Sequence, residues 1–226
     1  MNPSSYPINE IFASLQGEAT FTGMPSIFIR LQGCDVGCPW CDTKHTWELT
    51  PTHQTSFTAL VAKTKDKSTW AQAELHDLLE HIQTNYAVIK HVVITGGEPA
   101  LYNLHPLCLH LESLGKQIQI ETSGTSPLTI TANTWVTLSP KLNMPGGKAI
   151  FPEVVQRANE IKMPIGKRQD ITQLIEFIHY FQVPTSTPIW LQPLSQNPSA
   201  TKLCIEQALL NNWRVSLQTH KFVNIR

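Results

Sequence analysis

Ser26-Ile-Phe-Ile-Arg-Leu-Gln32, followed by Gly33-Cys34-Asp-Val-Gly-Cys38-Pro-Trp-Cys41, joins two patterns with different physical meanings. In the first, Ile27, Ile29 and Leu31 alternate with Phe28, Arg30 and Gln32, and a period of two puts the two sets on opposite faces of a strand. In the second, three cysteines fall within eight residues at C-x3-C-x2-C spacing. A loop leaving the end of a strand and wrapping back can bring such thiols to one centre.

Outward from that stretch the chain alternates strands and helices. His91–Thr95 reads as a short buried strand ending in Gly96-Gly97. Gln117–Glu121, Trp135–Ser139, Glu160–Met163, Ile189–Gln192 and Trp213–Leu217 read as further strands. Between them, Trp70–Tyr86 carries Leu75, Leu78, Leu79 and Ile82 at helical spacing. Leu104–Leu114 reads as a helix stopped by Gly115, Glu153–Asn159 as another, Ile171–Phe181 as one capped by Asp170, and Ala200–Leu210 as the last. Connections this long suit parallel βα units and exclude hairpins. Six units predict an open, partial (β/α)6 barrel in place of the closed eight-fold one. No repeat, low-complexity tract or linker divides the chain, so residues 1–226 are expected to form a single domain. Glu48–Thr69, polar and rich in Thr and Lys, is assigned neither structure nor role.

Composition narrows the function. Of the 226 residues 41% are hydrophobic and 15% charged, which supports a packed core and argues against disorder. Seventeen basic and seventeen acidic side chains cancel, so the basic excess of a phosphate-gripping nucleic-acid binder is absent. No apolar run exceeds four residues, against the roughly 20 of a membrane span. The N-terminus lacks the layout of a signal peptide. A cytoplasmic protein is expected, and in that compartment five cysteines read as thiols or metal ligands, not as a disulfide framework.

Two metal sites suit the cysteine loop. Cys34, Cys38 and Cys41 with His45 could close a Cys3His zinc site. The same three thiolates could hold a [4Fe–4S] cluster and leave one iron open for an outside ligand. Context favours the cluster. The loop follows the first strand of the βα series, at the strand ends where such barrels place their sites. The second strand ends in Thr95-Gly96-Gly97-Glu98-Pro99, where glycines admit a close ligand and Glu98 can accept hydrogen bonds from an ammonium group. With both motifs in this order, the chain resembles the radical S-adenosylmethionine superfamily. The resemblance implies that the open iron binds the amino and carboxylate groups of S-adenosylmethionine. It also implies that one-electron reduction of the sulfonium gives a 5′-deoxyadenosyl radical.

Within that superfamily Ile8–Glu18, Phe21–Pro25, Arg30–Cys34, Cys41–His45, Glu121–Gly124, Ser139–Lys141, Leu191–Pro193 and Gln218–Lys221 look like the 7-carboxy-7-deazaguanine synthase family. The resemblance covers essentially the whole chain and implies a lyase that contracts a carboxylated tetrahydropterin. It implies S-adenosylmethionine contacts from Trp40, Cys41, Asp42, Gly97, Glu98, Ser139, Pro140, Lys141 and Gln192. Pterin contacts are implied from Leu15, Gln16, Gly17, Arg30 and Thr95, and a Mg2+ ligand at Thr43. A flavodoxin-like electron donor and a homodimer are the partners it suggests. Arg30 has a fork suited to the pterin carboxylate, and a protein carboxylate such as Glu18 or Glu121 is the competing partner. Gln16 offers an amide to the pterin edge. Ala19 departs from the family's glycine after QGE and restricts positive φ there. Cys108 and Cys204 read as core, and His220 could reach the pocket. A glycyl-radical activase acting on a protein, or a zinc-stabilised binding protein, are the alternative readings.

Overall fold

The computed structural model describes residues 5–64 and 67–225. Residues 1–4, at the start of the stretch read for a signal, lie outside them. Nine strands form one sheet: β1 (Ser5–Leu15), β2 (Pro25–Leu31), β3 (Ala71–Glu74), β4 (His91–Gly96), β5 (Gln117–Thr122), β6 (Trp135–Leu138), β7 (Glu160–Ile165), β8 (Ile189–Pro193) and β9 (Arg214–Val215). Their order is β3-β1-β2-β4-β5-β6-β7-β8-β9. Every pairing from β2 to β9 is parallel, and β1 runs antiparallel to both β2 and β3. The sheet is the expected partial barrel, left open and extended at one edge by two antiparallel strands.

The alternation of β2 works as read over Ile27–Leu31, while Gln32, placed with Phe28 and Arg30, lies past the strand end and is wholly buried. Ile27, Ile29 and Leu31 have no solvent exposure and pack in the core beneath the helices, while Phe28 and Arg30 face a cavity on the other side. The helices are α1 (Phe57–Val61), α2 (Leu75–Tyr86), α3 (His105–Ser113), α4 (Pro152–Arg157), α5 (Arg168–Tyr180), α6 (Pro198–Asn211) and α7 (Thr219–Phe222). One core cluster gathers under α2 and α3 (Leu78, Ile82, Leu107, Cys108) and a second under α5 and α6 (Leu174, Phe177, Cys204, Ala208). Cys108 and Cys204 are therefore core residues as read, and burial pushes the Cys204 thiol up to about 12.

Three local readings are corrected, and one strand is added. The antiparallel β1 carried no βα signature and was not foreseen. Residues 71–74 form β3, so α2 begins at Leu75 instead of Trp70. Asp170 lies inside the first turn of α5, where its carboxylate accepts from the amides of Gly166 (2.7 Å) and Lys167 (2.9 Å), and the cap position is Lys167. The helix read from Ala200 is α6, which starts at Pro198 because Asn197 caps it, accepting from the amides of Ser199 and Ala200, and the short α7 follows it. Among the described residues no helix is long and apolar enough to cross a membrane.

Candidate functional site

A cavity of about 370 Å³ lies at the C-terminal ends of the parallel strands. Its wall brings together Cys34, Cys38, Cys41, Trp40, Asp42, Thr43, Gly97, Glu98, Ser139, Lys141 and Gln192 with Leu15, Gln16, Gly17, Arg30 and Thr95. These residues, up to 177 positions apart in sequence, thus share one space, as the two motif sets required. The exception is Pro140. It is buried and lines a neighbouring cavity of about 210 Å³ with Trp40, Met163 and Leu194, so only Ser139 and Lys141 of that triplet face the main site.

The cysteine loop and the glycine turn are built against each other. The Gly97 amide donates to Leu31 O (2.9 Å) and the Glu98 amide to Gly33 O (2.8 Å). A Cβ on Gly97 would stand 2.0 Å from Gly33 O, so glycine is required for this backbone approach. Returning chain closes the loop: the Gly33 amide donates to Thr46 O (2.7 Å) and the Cys34 amide to Trp47 O (2.9 Å). Cys34, Cys38 and Cys41 are all free thiols. Burial pushes Cys34 up to about 11, with Glu98 and the other two cysteines adding to it, so a thiolate here needs a cation beside it.

A tetrahedral zinc with Zn–S near 2.3 Å holds its thiolates about 3.8 Å apart. Among the described residues, three ligand atoms lie within 4.8 Å of one another only at the exposed surface group His76, Asp77 and Glu80. The three cysteine thiols are not gathered that closely, and a cubane, whose cysteines each hold a separate iron, does not need them to be. Thr43 Oγ1 lies 3.5 Å from Cys41 Sγ at the rim of this group.

The Glu98 side chain, expected to meet an ammonium group, is bonded within the protein. Its carboxylate is 2% exposed and accepts from Ala100 N (3.0 Å), Thr122 Oγ1 (2.6 Å), Ser123 N (2.9 Å) and Ser123 Oγ. Four protein donors occupy it, so it braces the glycine turn to the Thr122–Ser123 turn and has no lone pair set aside for an ammonium group. Lys141 Nζ donates to Ser139 O (3.1 Å) and Ser139 Oγ (2.5 Å); burial lowers its pKa while the facing Cys38 raises it.

On the opposite wall two further expectations change. Arg30 is not an unanswered cation: its Nε donates to Glu10 Oε1 at 2.7 Å, from the cross-strand partner position in β1. The competing partner is thus Glu10, not Glu18 or Glu121. Among the described residues the two terminal nitrogens of Arg30 have no protein acceptor, and the guanidinium stands in the cavity wall. Gln16 is 3% exposed, and its amide is committed to protein: Nε2 donates to Gln119 Oε1 (3.0 Å), and Oε1 accepts from Glu18 N (3.2 Å).

Behind Gln16 lies the part of the site that sequence reasoning missed. Lys162 Nζ bridges Glu18 Oε2 (2.5 Å) and Glu121 Oε2 (2.7 Å), and its side chain is 6% exposed. Gln218 Nε2 donates to Glu18 Oε1 (2.8 Å), and Gln119 Nε2 to Glu121 Oε1 (3.2 Å). Burial alone would raise both carboxyls, but Lys162, Gln218 and His220 bring Glu18 down to about 2. Burial and the neighbouring Glu18 hold Glu121 up at about 7, so the first proton the group takes goes there. The signal was available: Lys162 is a lone lysine between Ile161 and Met163, on the inward face of a predicted strand. His220 does reach the cavity, packed over Gly17, where a Cβ would lie 2.1 Å from its Nδ1.

The Radical SAM superfamily profile matches residues 28–182. The 7-carboxy-7-deazaguanine synthase of Escherichia coli strain K12 is 52% identical over 97% of this chain and 99% of its own length. That of Buchnera aphidicola is 44% identical over 98% and 99%, and that of Synechocystis 37% over 98% and 94%. The crystal structure of QueE from Escherichia coli superposes with a TM-score of 0.91 at 51% identity, covering 94% of this chain and 93% of that one.

Proposed function

The chain belongs to the radical SAM superfamily and, within it, to the 7-carboxy-7-deazaguanine synthase family, and from that premise we propose that it converts 6-carboxy-5,6,7,8-tetrahydropterin to 7-carboxy-7-deazaguanine and ammonia. The observation that carries this reading is one cavity with two unlike walls: three free thiols beside a glycine turn, and a guanidinium with free terminal nitrogens beside buried carboxylates. When bound, a [4Fe–4S] cluster with S-adenosylmethionine supplies a 5′-deoxyadenosyl radical.

The chain's own residues place and enclose that chemistry. Cys34, Cys38 and Cys41 would hold the cluster. Trp40, Cys41, Asp42, Gly97, Ser139, Lys141 and Gln192 would line the S-adenosylmethionine site, and a second cavity lies beside it at Trp40 and Pro140. Arg30, steadied at Nε by Glu10, turns its remaining donors to the pterin carboxylate. Leu15, Gly17 and Thr95 line the same wall, and Gln16 acts through Gln119. Thr43 offers one hydroxyl to a Mg2+ whose shell is completed by substrate oxygens and water, a donor set that suits this ion. The same reading extends to a flavodoxin-like electron donor, a homodimer, a cytoplasmic setting and one domain; the single continuous sheet supports the last.

Anaerobic reconstitution followed by turnover with the carboxypterin tests the proposal. Alanine at Cys34, Cys38 or Cys41 should remove the cluster spectrum and S-adenosylmethionine cleavage, and His45→Ala should retain both. Loss of metal in His45→Ala equal to that in Cys41→Ala, with bound zinc and no visible absorption, would return the site to the Cys3His reading.

A further inference from the structure

Gln32, two residues before Cys34, is wholly buried and uses every polar group it has. Its amide N–H donates to Pro7 O (2.9 Å), and its carbonyl accepts from the Tyr102 hydroxyl (2.6 Å). The side-chain Nε2 donates to His45 O (3.0 Å) and Glu48 O (2.7 Å), and Oε1 accepts from Asn9 Nδ2 (2.7 Å). The two carbonyls it holds flank the turn that carries the chain away from the cysteines. That turn is already tied from the other side by the Gly33 and Cys34 amides, which donate to Thr46 O and Trp47 O. The turn is therefore clamped on both sides, once by backbone and once by a single glutamine.

Asn9, also wholly buried, extends the clamp. Its second Nδ2 hydrogen is shared between Lys67 O (2.9 Å) and Thr69 O (3.3 Å). Lys63 Nζ donates to Asn9 O (2.9 Å), Asn9 Oδ1 (3.1 Å), Lys67 O (3.0 Å) and Thr69 O (3.2 Å). An ammonium seated among four oxygens thus locks the end of the 48–69 segment, which sequence left without a role, to the back of the cysteine loop. A buried polar network satisfied this fully fixes one arrangement of the groups it joins, and deleting one member leaves the others unpaired.

We propose that Gln32, with Asn9 and Lys63 behind it, is a positioning residue: it sets the 43–48 turn against the cysteine loop and so holds Thr43 Oγ1 beside Cys41. The inference rests on the reading of Thr43 as a Mg2+ ligand. Gln32→Met in the reconstituted holoenzyme removes both donors without burying a charge. Iron content should match wild type, since the three cysteines are untouched. Amide exchange at Thr46 and Trp47, protected by their bonds to Thr43 O and Lys44 O, should accelerate about 30-fold for two lost hydrogen bonds. The Mg2+ concentration for half-maximal turnover should rise about tenfold, on the order of one lost positioning bond, with the carboxypterin KM at saturating Mg2+ unchanged. Lys63→Met, farther from the turn, should move the same two readouts in the same direction by less. Exchange that rises as much in β4 and β5 as at Thr46 and Trp47, or an unchanged Mg2+ requirement beside an accelerated turn, would overturn the positioning role. Should Gln32→Met fail to fold, Lys63→Met decides: no selective acceleration at Thr46 and Trp47 refutes the proposal. Thr43→Ala run in parallel separates the two readings. An unchanged Mg2+ requirement there removes the metal assignment, while exchange at the turn still judges Gln32.

Discussion

Replacing Lys162 by methionine keeps most of the side chain's volume and removes the one cation between two buried carboxylates. Glu18 and Glu121 both bond the same nitrogen, so their facing oxygens are within about 5 Å. At that distance an effective dielectric of about 20 gives a repulsion of roughly 3 kcal/mol between two unscreened charges. Breaking a buried ion pair from one side typically costs about 3–5 kcal/mol, and side chains only 6%, 16% and 14% exposed place this group in that class. At pH 8 the apoprotein should therefore lose about 3–5 kcal/mol in urea unfolding, or roughly 6–20 °C in Tm for a chain of this size. The pH dependence has a definite sign. In the wild type Glu18 is lowered to about 2, so its contribution is present above the ordinary carboxylate range and lost only as pH falls through 2. In the variant that carboxyl has lost its ammonium and rises above its unfolded value, so the variant recovers stability as pH falls. Both proteins gain stability as pH falls through the range of the raised Glu121, and the variant, with Glu18 raised as well, gains more, so the gap between them should narrow from pH 8 to pH 5. A variant within about 1 kcal/mol of wild type at pH 8, or a gap that does not change with pH, would refute the claim that one lysine answers both carboxylates.

Glu121→Gln removes the group held up at about 7. A raised carboxyl stabilises below its unfolded pKa and loses that contribution as pH rises through its folded one, so wild type should weaken from pH 5 to 8 in urea titrations and the variant should weaken less. Gly97→Ala places a methyl 2.0 Å from Gly33 O; neither backbone can yield cheaply, and calorimetry should show a loss of about 1–3 kcal/mol or more, with lower iron content on reconstitution. Ala19 sits at φ +54° and is 3% exposed. Glycine there relieves backbone strain but loses a buried methyl and gains unfolded entropy, so Ala19→Gly should stay within about 1 kcal/mol of wild type by urea unfolding. Ala19→Val, β-branched at positive φ in a closed space, should cost about 2 kcal/mol or more in the same assay.

The chain's local patterns determined most of the fold. A period of two at Ile27, Ile29 and Leu31, helical spacing at Leu75, Leu78 and Ile82, and connections too long for hairpins specify parallel βα units. These patterns record burial on one face, and burial is a property each segment carries in its own order of residues. The cysteine spacing and the Thr95–Pro99 turn were legible for the same reason: neighbours along the chain must meet one ligand. Partnership between distant residues is not carried that way. That Glu10 answers Arg30, that four donors occupy Glu98, that Gln16 spends its amide on Gln119, and that Lys162 joins Glu18 to Glu121 were each decided by strand register and barrel curvature. A polar side chain's role depends on which donors and acceptors stand within about 3 Å. Only the assembled sheet fixes that distance for residues 20 to 144 positions apart.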